Sequence, residues 1–128
     1  MTIDSSALVA ILFGEPGCLD LIDRILAADH PCVPAPTLVE ASLVLVGRRR
    51  AACGGDVESL LKELGVTVVP FGERESQAAL AAFLRYGRGR HKASLNFGDC
   101  LAYGAAHAAG DSLLFVGDDF SKTDIPPA

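Results

Sequence analysis

Apolar residues at a spacing of three or four alternate along the chain with short apolar runs, and the two patterns predict helices and strands respectively. The clearest amphipathic helix covers residues 19–26, where leucine and isoleucine lie opposite Asp20, Asp23 and Arg24. Helices are predicted over 7–13, 19–26, 37–46, 56–64, 73–86 and 97–109, and strands at 2–3, 32–33, 66–69 and 113–116. Strands alternating with helices indicate a parallel sheet covered by helices, in one domain spanning residues 1–128.

Polar residues that can cap a helix stand at several predicted helix starts. They are Ser5 and Ser6 for the first helix, Thr37 for the third, Asp56 after a Gly54-Gly55 loop for the fourth, and Asn96 for the last. Thr37 and Glu40 together have the form of a capping box, which predicts that the third helix begins at Thr37.

Acidic residues accumulate where predicted strands end or helices begin. They are Asp4, Glu40, Asp99, Asp118 and Asp119, together with Glu73 and Glu75. Right-handed β-α-β units place the carboxyl ends of parallel strands at one edge of the sheet, so several of these acids can share one site there. Topology alone does not show which of these seven acids share the site.

Most of these acids also have an ordinary structural explanation. Glu40 belongs to the predicted capping box, Asp99 can interact with its helix dipole, and Asp118 and Asp119 can be turn residues. Asp4 is the hardest to explain in this way, because it stands between an apolar strand and an apolar helix. A buried acid needs a partner.

A cluster of carboxylates also needs a positive charge. Two carboxylates about 4 Å apart repel by roughly 4 kcal/mol at an effective dielectric constant near 20. No lysine or arginine adjoins Asp4, Glu40 or Asp99 in sequence. Carboxylate and water ligands suit magnesium or manganese, which also bind phosphate oxygens, so the pattern predicts a divalent cation.

The distribution of charge favours a phosphate-bearing partner more than the total does. The net charge is −5, yet seven of the eleven lysines and arginines lie in two clusters. The clusters are residues 48–50 and the group Arg85, Arg88, Arg90 and Lys92. Such local basic surfaces can hold phosphates whatever the total charge, although helix-end charges and a solvated loop explain the same residues.

Other chemistry finds little support in the sequence. The four cysteines form no C-x-x-C pair, and the three histidines have no metal-ligand spacing. No apolar run approaches the roughly 18 residues of a membrane span, and the start has no basic region typical of a signal peptide. We therefore expect a cytoplasmic protein.

Several short segments, taken in order, form a recognisable pattern. They are I-D-S-S-A-L at 3–8, T-L-V-E-A-S at 37–42, L-N-F-G-D-C-L-A-Y at 95–103, L-L-F-V-G-D-D-F at 113–120 and T-D-I at 123–125. This ordered set resembles the PIN-domain VapC toxins over essentially the whole chain. The segment G-R-G-R-H at 87–91 is similar to one found in a subset of them.

The resemblance implies a PIN-like three-layer α/β fold, with a short parallel sheet of about four or five strands flanked by helices. It also implies a magnesium-dependent endoribonuclease, the toxin of a type II toxin-antitoxin system, inhibited by a VapB-type antitoxin. Its partners would be RNA, the antitoxin and a second copy in a homodimer, with a toxin-antitoxin hetero-oligomer as a further form, and no membrane.

By the same resemblance, Asp4, Glu40 and Asp99 take the places of three metal-binding acids, and Ser6 that of a nearby hydroxyl. Many relatives place the fourth acid where Gly117 stands here, while others use the position of Asp119. We expect Asp119 to fill this role, with Asp118 as the substitute. One magnesium or manganese ion would activate water for hydrolysis, and Glu40 and Asp119 would orient waters or hold a second ion. The residues expected to bind flanking phosphates are Arg88, Arg90 and Lys92.

Two other functions are compatible with parts of the pattern. A phosphatase of the haloacid dehalogenase type would use Asp4 as nucleophile, but it needs a second aspartate where Ser6 stands. A non-catalytic interaction domain would use the acids as caps and the apolar helices for docking. Phosphate release from small phosphomonoesters would favour the first, and thermal stability that is indifferent to magnesium would favour the second.

Overall fold

Short strands and longer helices alternate along the chain, as the periodicity predicts. The computed structural model describes the backbone of residues 1–49 and 54–128 and the side chains of residues 1–48 and 57–128. The strands are β1 (Thr2–Ile3), β2 (Cys32–Pro34), β3 (Thr67–Val69) and β4 (Leu113–Leu114). The helices are α1 (Ser5–Leu12), α2 (Cys18–Ala27), α3 (Ala35–Arg49), α4 (Gly54–Glu63), α5 (Glu73–Tyr86) and α6 (Phe97–Ala109), followed by a 3-10 turn at Phe120–Lys122.

The four strands form one parallel sheet in the order β3-β2-β1-β4. Strand β1 is therefore central, and Thr2 is in register with Cys32 on one side and with Leu113 on the other. The carboxyl ends of β2, β1 and β4 lie next to one another, which brings the residues after each strand to a common edge. The predicted α/β fold with a short parallel sheet is confirmed.

Two apolar clusters cover the sheet. Successive side chains of a strand point to opposite faces, and accordingly Leu114 packs with the cluster formed mainly by α1 to α4, whereas Leu113 packs with α5 and α6. Both leucines are almost fully buried. This arrangement gives three layers, with the sheet between two groups of helices. No helix among the described residues is long and apolar enough to cross a membrane.

The first and third helices begin earlier than predicted. Asp4 is the N-cap of α1, and both serines lie inside the helix. Helix α3 begins at Ala35, so Thr37 is inside the first turn and the predicted capping box with Glu40 is wrong. Proline is tolerated in a first turn because its N–H would have no helical acceptor there, which lets α3 include Pro36.

The region between α3 and α4 also differs. Helix α4 begins at Gly54, so the predicted Gly54-Gly55 loop and the cap at Asp56 are wrong. Of the basic cluster at 48–50, Arg50 lies outside the described residues, and only Arg48 has a described side chain. It forms an ion pair with Glu15 at 3.2 Å.

Candidate active site

Asp4 lies at the carboxyl end of the central strand, where its side chain caps α1. One carboxylate oxygen, Oδ2, accepts hydrogen bonds from the backbone N–H of Ser6 at 2.9 Å and from its hydroxyl at 2.5 Å. The residue is only 3% exposed, and the other oxygen, Oδ1, is buried without a hydrogen-bond partner. Burial is the main reason that the pKa of Asp4 is raised to about 6, and the hydrogen bonds from Ser6 oppose the rise.

Ser6 joins two strand ends. Its hydroxyl donates to Asp4 and accepts a hydrogen bond from the backbone N–H of Val116 at 3.0 Å. The backbone N–H of Asp4 also donates to Leu114 O at 2.9 Å. The segment after β4 is therefore attached to the end of β1 beside the buried carboxylate.

Glu40 reaches the same edge from the second turn of α3. Its carboxylate lies against Gly98, the second residue of α6, where a Cβ would come within 2.6 Å of the Glu40 Cδ. Glu40 also contributes to the raised pKa of Asp4 through charge repulsion. Sequence reasoning did not select Gly98 as a site residue, since a glycine at a helix start does not reveal which side chain lies opposite.

Asp99 lies in the first turn of α6 and is held by a capping box with Asn96. Its Oδ2 accepts from the Asn96 backbone N–H at 2.7 Å, and its own backbone N–H donates to Asn96 Oδ1 at 3.0 Å. Burial raises the pKa of Asp99 and the charge of Asp119 adds to this, while Asn96 and Arg88 lower it. Asp99 in turn adds to the raised pKa of Asp4. Four of the predicted acids are thus linked by charge repulsion: Glu40 and Asp99 each repel Asp4, and Asp119 repels Asp99.

The two aspartates after β4 differ in their surroundings. The side chain of Asp118 is 82% exposed and forms an ion pair with Lys122 at 3.2 Å. The side chain of Asp119 is 57% exposed, lies 3.9 Å from Lys122, and acts on Asp99. Gly117 precedes them with a φ of +103°, a conformation that other residues rarely adopt.

Glu73 and Glu75, which topology left as alternatives, lie in the first turn of α5, the helix that follows the outer strand β3. Glu75 accepts a hydrogen bond from the Gly72 backbone N–H at 2.8 Å, and backbone hydrogen bonds lower its pKa. Its position is explained by capping.

The basic loop after α5 carries the predicted phosphate-binding residues. Backbone hydrogen bonds from Arg88 N–H to Leu95 O and from Leu95 N–H to Tyr86 O, both 3.0 Å, close the loop at its base. Arg88 is exposed and lies near enough to Asp99 to lower its pKa. The Arg90 guanidinium lies over the Phe83 ring, 5.5 Å from its centre, and Lys92 is exposed. Of these three basic residues, Arg88 is the one whose charge lowers the pKa of Asp99.

The carboxylates offer oxygen ligands that suit a hard cation, although their side chains are not preorganised around a common metal position. Among the described residues, no three acidic, histidine or cysteine side chains converge closely enough to hold an ion as they stand. Asp99 and Glu40 are turned towards Asn96 and Gly98 respectively. The available donors are all oxygens, and one buried Asp4 oxygen has no protein partner. This chemistry fits magnesium or manganese.

Comparison with known proteins agrees with this arrangement. The PIN domain family matches residues 1–126. Ribonuclease VapC36 of Mycobacterium tuberculosis is 42% identical over 126 residues, covering 98% of this chain and 91% of that protein. Ribonuclease VapC30 of the same organism is 40% identical over 126 residues, covering 98% of this chain and 95% of that protein.

A solved structure has the same fold. The crystal structure of Mycobacterium tuberculosis VapC20, described as a Sarcin-Ricin loop cleaving toxin, matches with a TM-score of 0.71 and 16% sequence identity over 98% of each chain. At that identity the match supports the fold alone. The family suggested by the sequence motifs is confirmed by the PIN domain match and by the more similar ribonucleases. The chain belongs to the PIN domain family and, within it, to the VapC ribonucleases.

Proposed function

We propose that this protein is a magnesium-dependent endoribonuclease that acts as the toxin of a type II toxin-antitoxin pair. The observation that carries the proposal is the buried Asp4 carboxylate, which has one unpartnered oxygen and lies within electrostatic range of Glu40 and Asp99. A carboxylate is costly to bury without a positive partner. Membership of a family of ribonucleases supplies the expected substrate, RNA.

Asp4 and Asp99 are the residues that we expect to hold the metal directly, with Glu40 and Asp119 holding water or a second ion. When bound, magnesium or manganese would neutralise these charges, lower the pKa of a bound water and bind a phosphate oxygen. Ser6 holds the Asp4 carboxylate in place through two hydrogen bonds. Asn96 does the same for Asp99.

The substrate would approach along the basic loop. Arg88 is exposed and near enough to Asp99 to lower its pKa, and we expect it to bind a phosphate next to the scissile one. Arg90 and Lys92 are exposed on the same loop and add to its positive charge. Phosphate contacts of this kind give salt-dependent affinity with little sequence preference.

The family membership also suggests partners. We expect a VapB-type antitoxin to inhibit the enzyme, a homodimer to be its free form, and the cytoplasm to be its place of action, because its substrate would be cellular RNA.

The test is incubation of the purified protein with total RNA, with and without magnesium. We expect cleavage that requires the metal, is abolished by a chelator and is restored by manganese. Asp4→Asn and Asp99→Asn should fold and be inactive, whereas Asp23→Asn, on the exposed face of α2, should retain activity. RNA cutting by either site variant would refute the assignment, and phosphate release from p-nitrophenyl phosphate without RNA cleavage would favour a phosphatase.

A further inference from the structure

Asp124 connects three parts of the chain, although the proposed mechanism does not use it. Its Oδ1 accepts a hydrogen bond from the Tyr103 hydroxyl at 2.6 Å, and its Oδ2 forms an ion pair with Arg85 Nη1, also at 2.6 Å. Tyr103 lies in α6 and Arg85 in α5. The Tyr103 hydrogen bond is the main reason that the pKa of Asp124 is lowered. The Asp124 carboxylate is therefore charged at neutral pH.

The first connection leads to Asp99. Tyr103 lies four residues after Asp99 in the same helix, so both side chains project from one face of α6. Tyr103 is buried and its ring stacks on His107, with the ring centres 5.6 Å apart. This packing makes Tyr103 a fixed point from which Asp124 can be held.

The second connection leads to Asp119. Asp119 and Asp124 belong to one short segment, in which Phe120 and Ile125 are buried. The Thr123 backbone N–H donates to Phe120 O at 2.9 Å, which keeps the segment compact between the two aspartates. Fixing Asp124 therefore restricts where Asp119 can lie.

The third connection leads to Arg88. Arg85 is in the last turn of α5, three residues before Arg88, and its guanidinium also lies over the Tyr86 ring at 4.7 Å from the centre. Tyr86 and Arg88 are the residues whose backbones close the basic loop on Leu95. Holding Arg85 therefore holds the base of that loop.

We propose that Asp124 is a positioning residue that keeps Asp119 and Arg88 close to Asp99. The inference rests on the proposed function, because it assigns Asp124 to the same site. A purely structural ion pair would affect stability alone. A positioning residue instead affects metal binding and cleavage, and does so through Asp119.

The decisive experiment is a double-mutant cycle between Asp124→Asn and Asp119→Asn. Asparagine has nearly the same shape as aspartate but no charge, so the Arg85 ion pair is lost and the hydrogen bond from the Tyr103 hydroxyl is weakened. Both contacts that hold Asp124 are therefore loosened. Mn²⁺ affinity, measured by electron paramagnetic resonance, and kcat and KM on a short RNA are determined for each variant. Thermal unfolding is recorded alongside. Asp20→Asn, which removes the Arg24 ion pair on α2, is the matched control.

We expect Asp124→Asn to weaken Mn²⁺ binding about fivefold and to lower kcat on the order of tenfold, in keeping with the sensitivity of catalysis to small displacements. In the Asp119→Asn background the same substitution should change Mn²⁺ affinity less than twofold. Asp20→Asn should change neither quantity. If Asp124→Asn unfolds the protein, Tyr103→Phe removes the hydrogen bond to Asp124 and is expected to act in the same direction.

Two results would overturn the inference while leaving the proposed function standing. One is a lower melting temperature of Asp124→Asn with unchanged Mn²⁺ affinity and kcat. The other is an equal effect of Asp124→Asn with and without Asp119, which would show that it does not act through that residue. A wild-type protein that neither binds Mn²⁺ nor cuts RNA would refute the proposed function itself, and the inference with it.

Discussion

The carboxylate of Glu40 lies against the α-carbon of Gly98. Helices α3 and α6 therefore contact each other here through the Glu40 side chain and the backbone of Gly98. A side chain at Gly98 would occupy the place of the carboxylate. Because Asp99 is the next residue, this contact also fixes how near the two acids are to each other. The glycine therefore has a role in the arrangement of the site.

Gly98→Ala should displace the Glu40 carboxylate and reduce RNA cleavage, on the order of 10²-fold if the displacement approaches 1 Å. The fold should survive, because the clash involves the end of a flexible side chain and alanine favours a helix by about 1 kcal/mol over glycine. Cleavage rate and thermal unfolding of the same preparation measure the two effects separately.

The matched control for this substitution is Gly47→Ala in α3, where a Cβ would meet nothing within 4 Å. It should leave cleavage unchanged. In a Glu40→Gln background, Gly98→Ala should add little further loss, since the displaced group has already been altered. Full activity of Gly98→Ala would show that the position of Glu40 does not matter.

Asp4→Asn should stabilise the protein at neutral pH while abolishing cleavage. The folded protein holds the Asp4 proton more tightly than the unfolded chain does, with a pKa of about 6 against 3.8. This tighter proton binding adds to the free energy of unfolding. The contribution is fully present below about pH 3.8 and is lost as the pH rises to about 6. Asparagine does not ionise and avoids a cost of about 3 kcal/mol at pH 7.

The measurement is the melting temperature of both proteins across pH 4–8 in the presence of a chelator. The difference between them should be small at pH 4 and reach on the order of 10 °C at pH 7. Asp23→Asn is the control and should show no such widening. Excess magnesium should raise the melting temperature of the wild type and leave that of Asp4→Asn unchanged. A pH-independent difference would contradict the account of Asp4 as a carboxylate destabilised by burial.

The sequence predicted that acids stand where strands end and helices begin, but not which of them share a site. The observed strand order adds this information, because it places Asp4, Glu40 and Asp119 after the three adjacent strands β1, β2 and β4. The start of α3 was harder, because Pro36 reads as a loop residue although a first helical turn accepts it. Once α3 begins at Ala35, the capping explanation for Glu40 no longer applies.

Contacts between distant segments could not be predicted in the same way. Asp124 and Arg85 are 39 residues apart, and nothing in either local pattern identifies the other as its partner. The contact between Glu40 and Gly98 depends on how α3 packs against α6, which periodicity does not determine. Local patterns identify which residues can carry chemistry, whereas helix packing determines which of them meet.

Ser6→Ala should shift the pH dependence of cleavage to higher pH. The two Ser6 hydrogen bonds lower the pKa of Asp4, and the side-chain bond makes the larger contribution. Without the hydroxyl, the pKa of Asp4 should rise further above its ordinary value, so the metal-binding carboxylate would form only at higher pH. The acidic limb of kcat/KM against pH measures the change.

Ser5→Ala, at the neighbouring position of α1, is the control and should leave the profile in place. The Ser6 variant should also lose some stability, because Val116 N–H would exchange its acceptor for water; a hydrogen bond typically contributes about 0.5–1.5 kcal/mol. An unshifted pH profile with reduced stability would mean that Ser6 serves only to attach the segment after β4.

Arg88→Ala should weaken RNA binding and make it less dependent on salt. Each phosphate contact of a single strand contributes about 0.7 to the slope of log affinity against log salt concentration, so the loss of one contact should reduce the slope by roughly that amount. Binding is measured with the inactive Asp4→Asn protein as the common background. Arg74→Ala, exposed at the start of α5, is the control and should keep the slope. Because Arg88 also lowers the pKa of Asp99, the same substitution in the active protein should move the acidic limb of cleavage against pH to higher pH. An unchanged salt slope together with a shifted acidic limb would assign Arg88 to the acids and leave phosphate binding to Arg90 and Lys92.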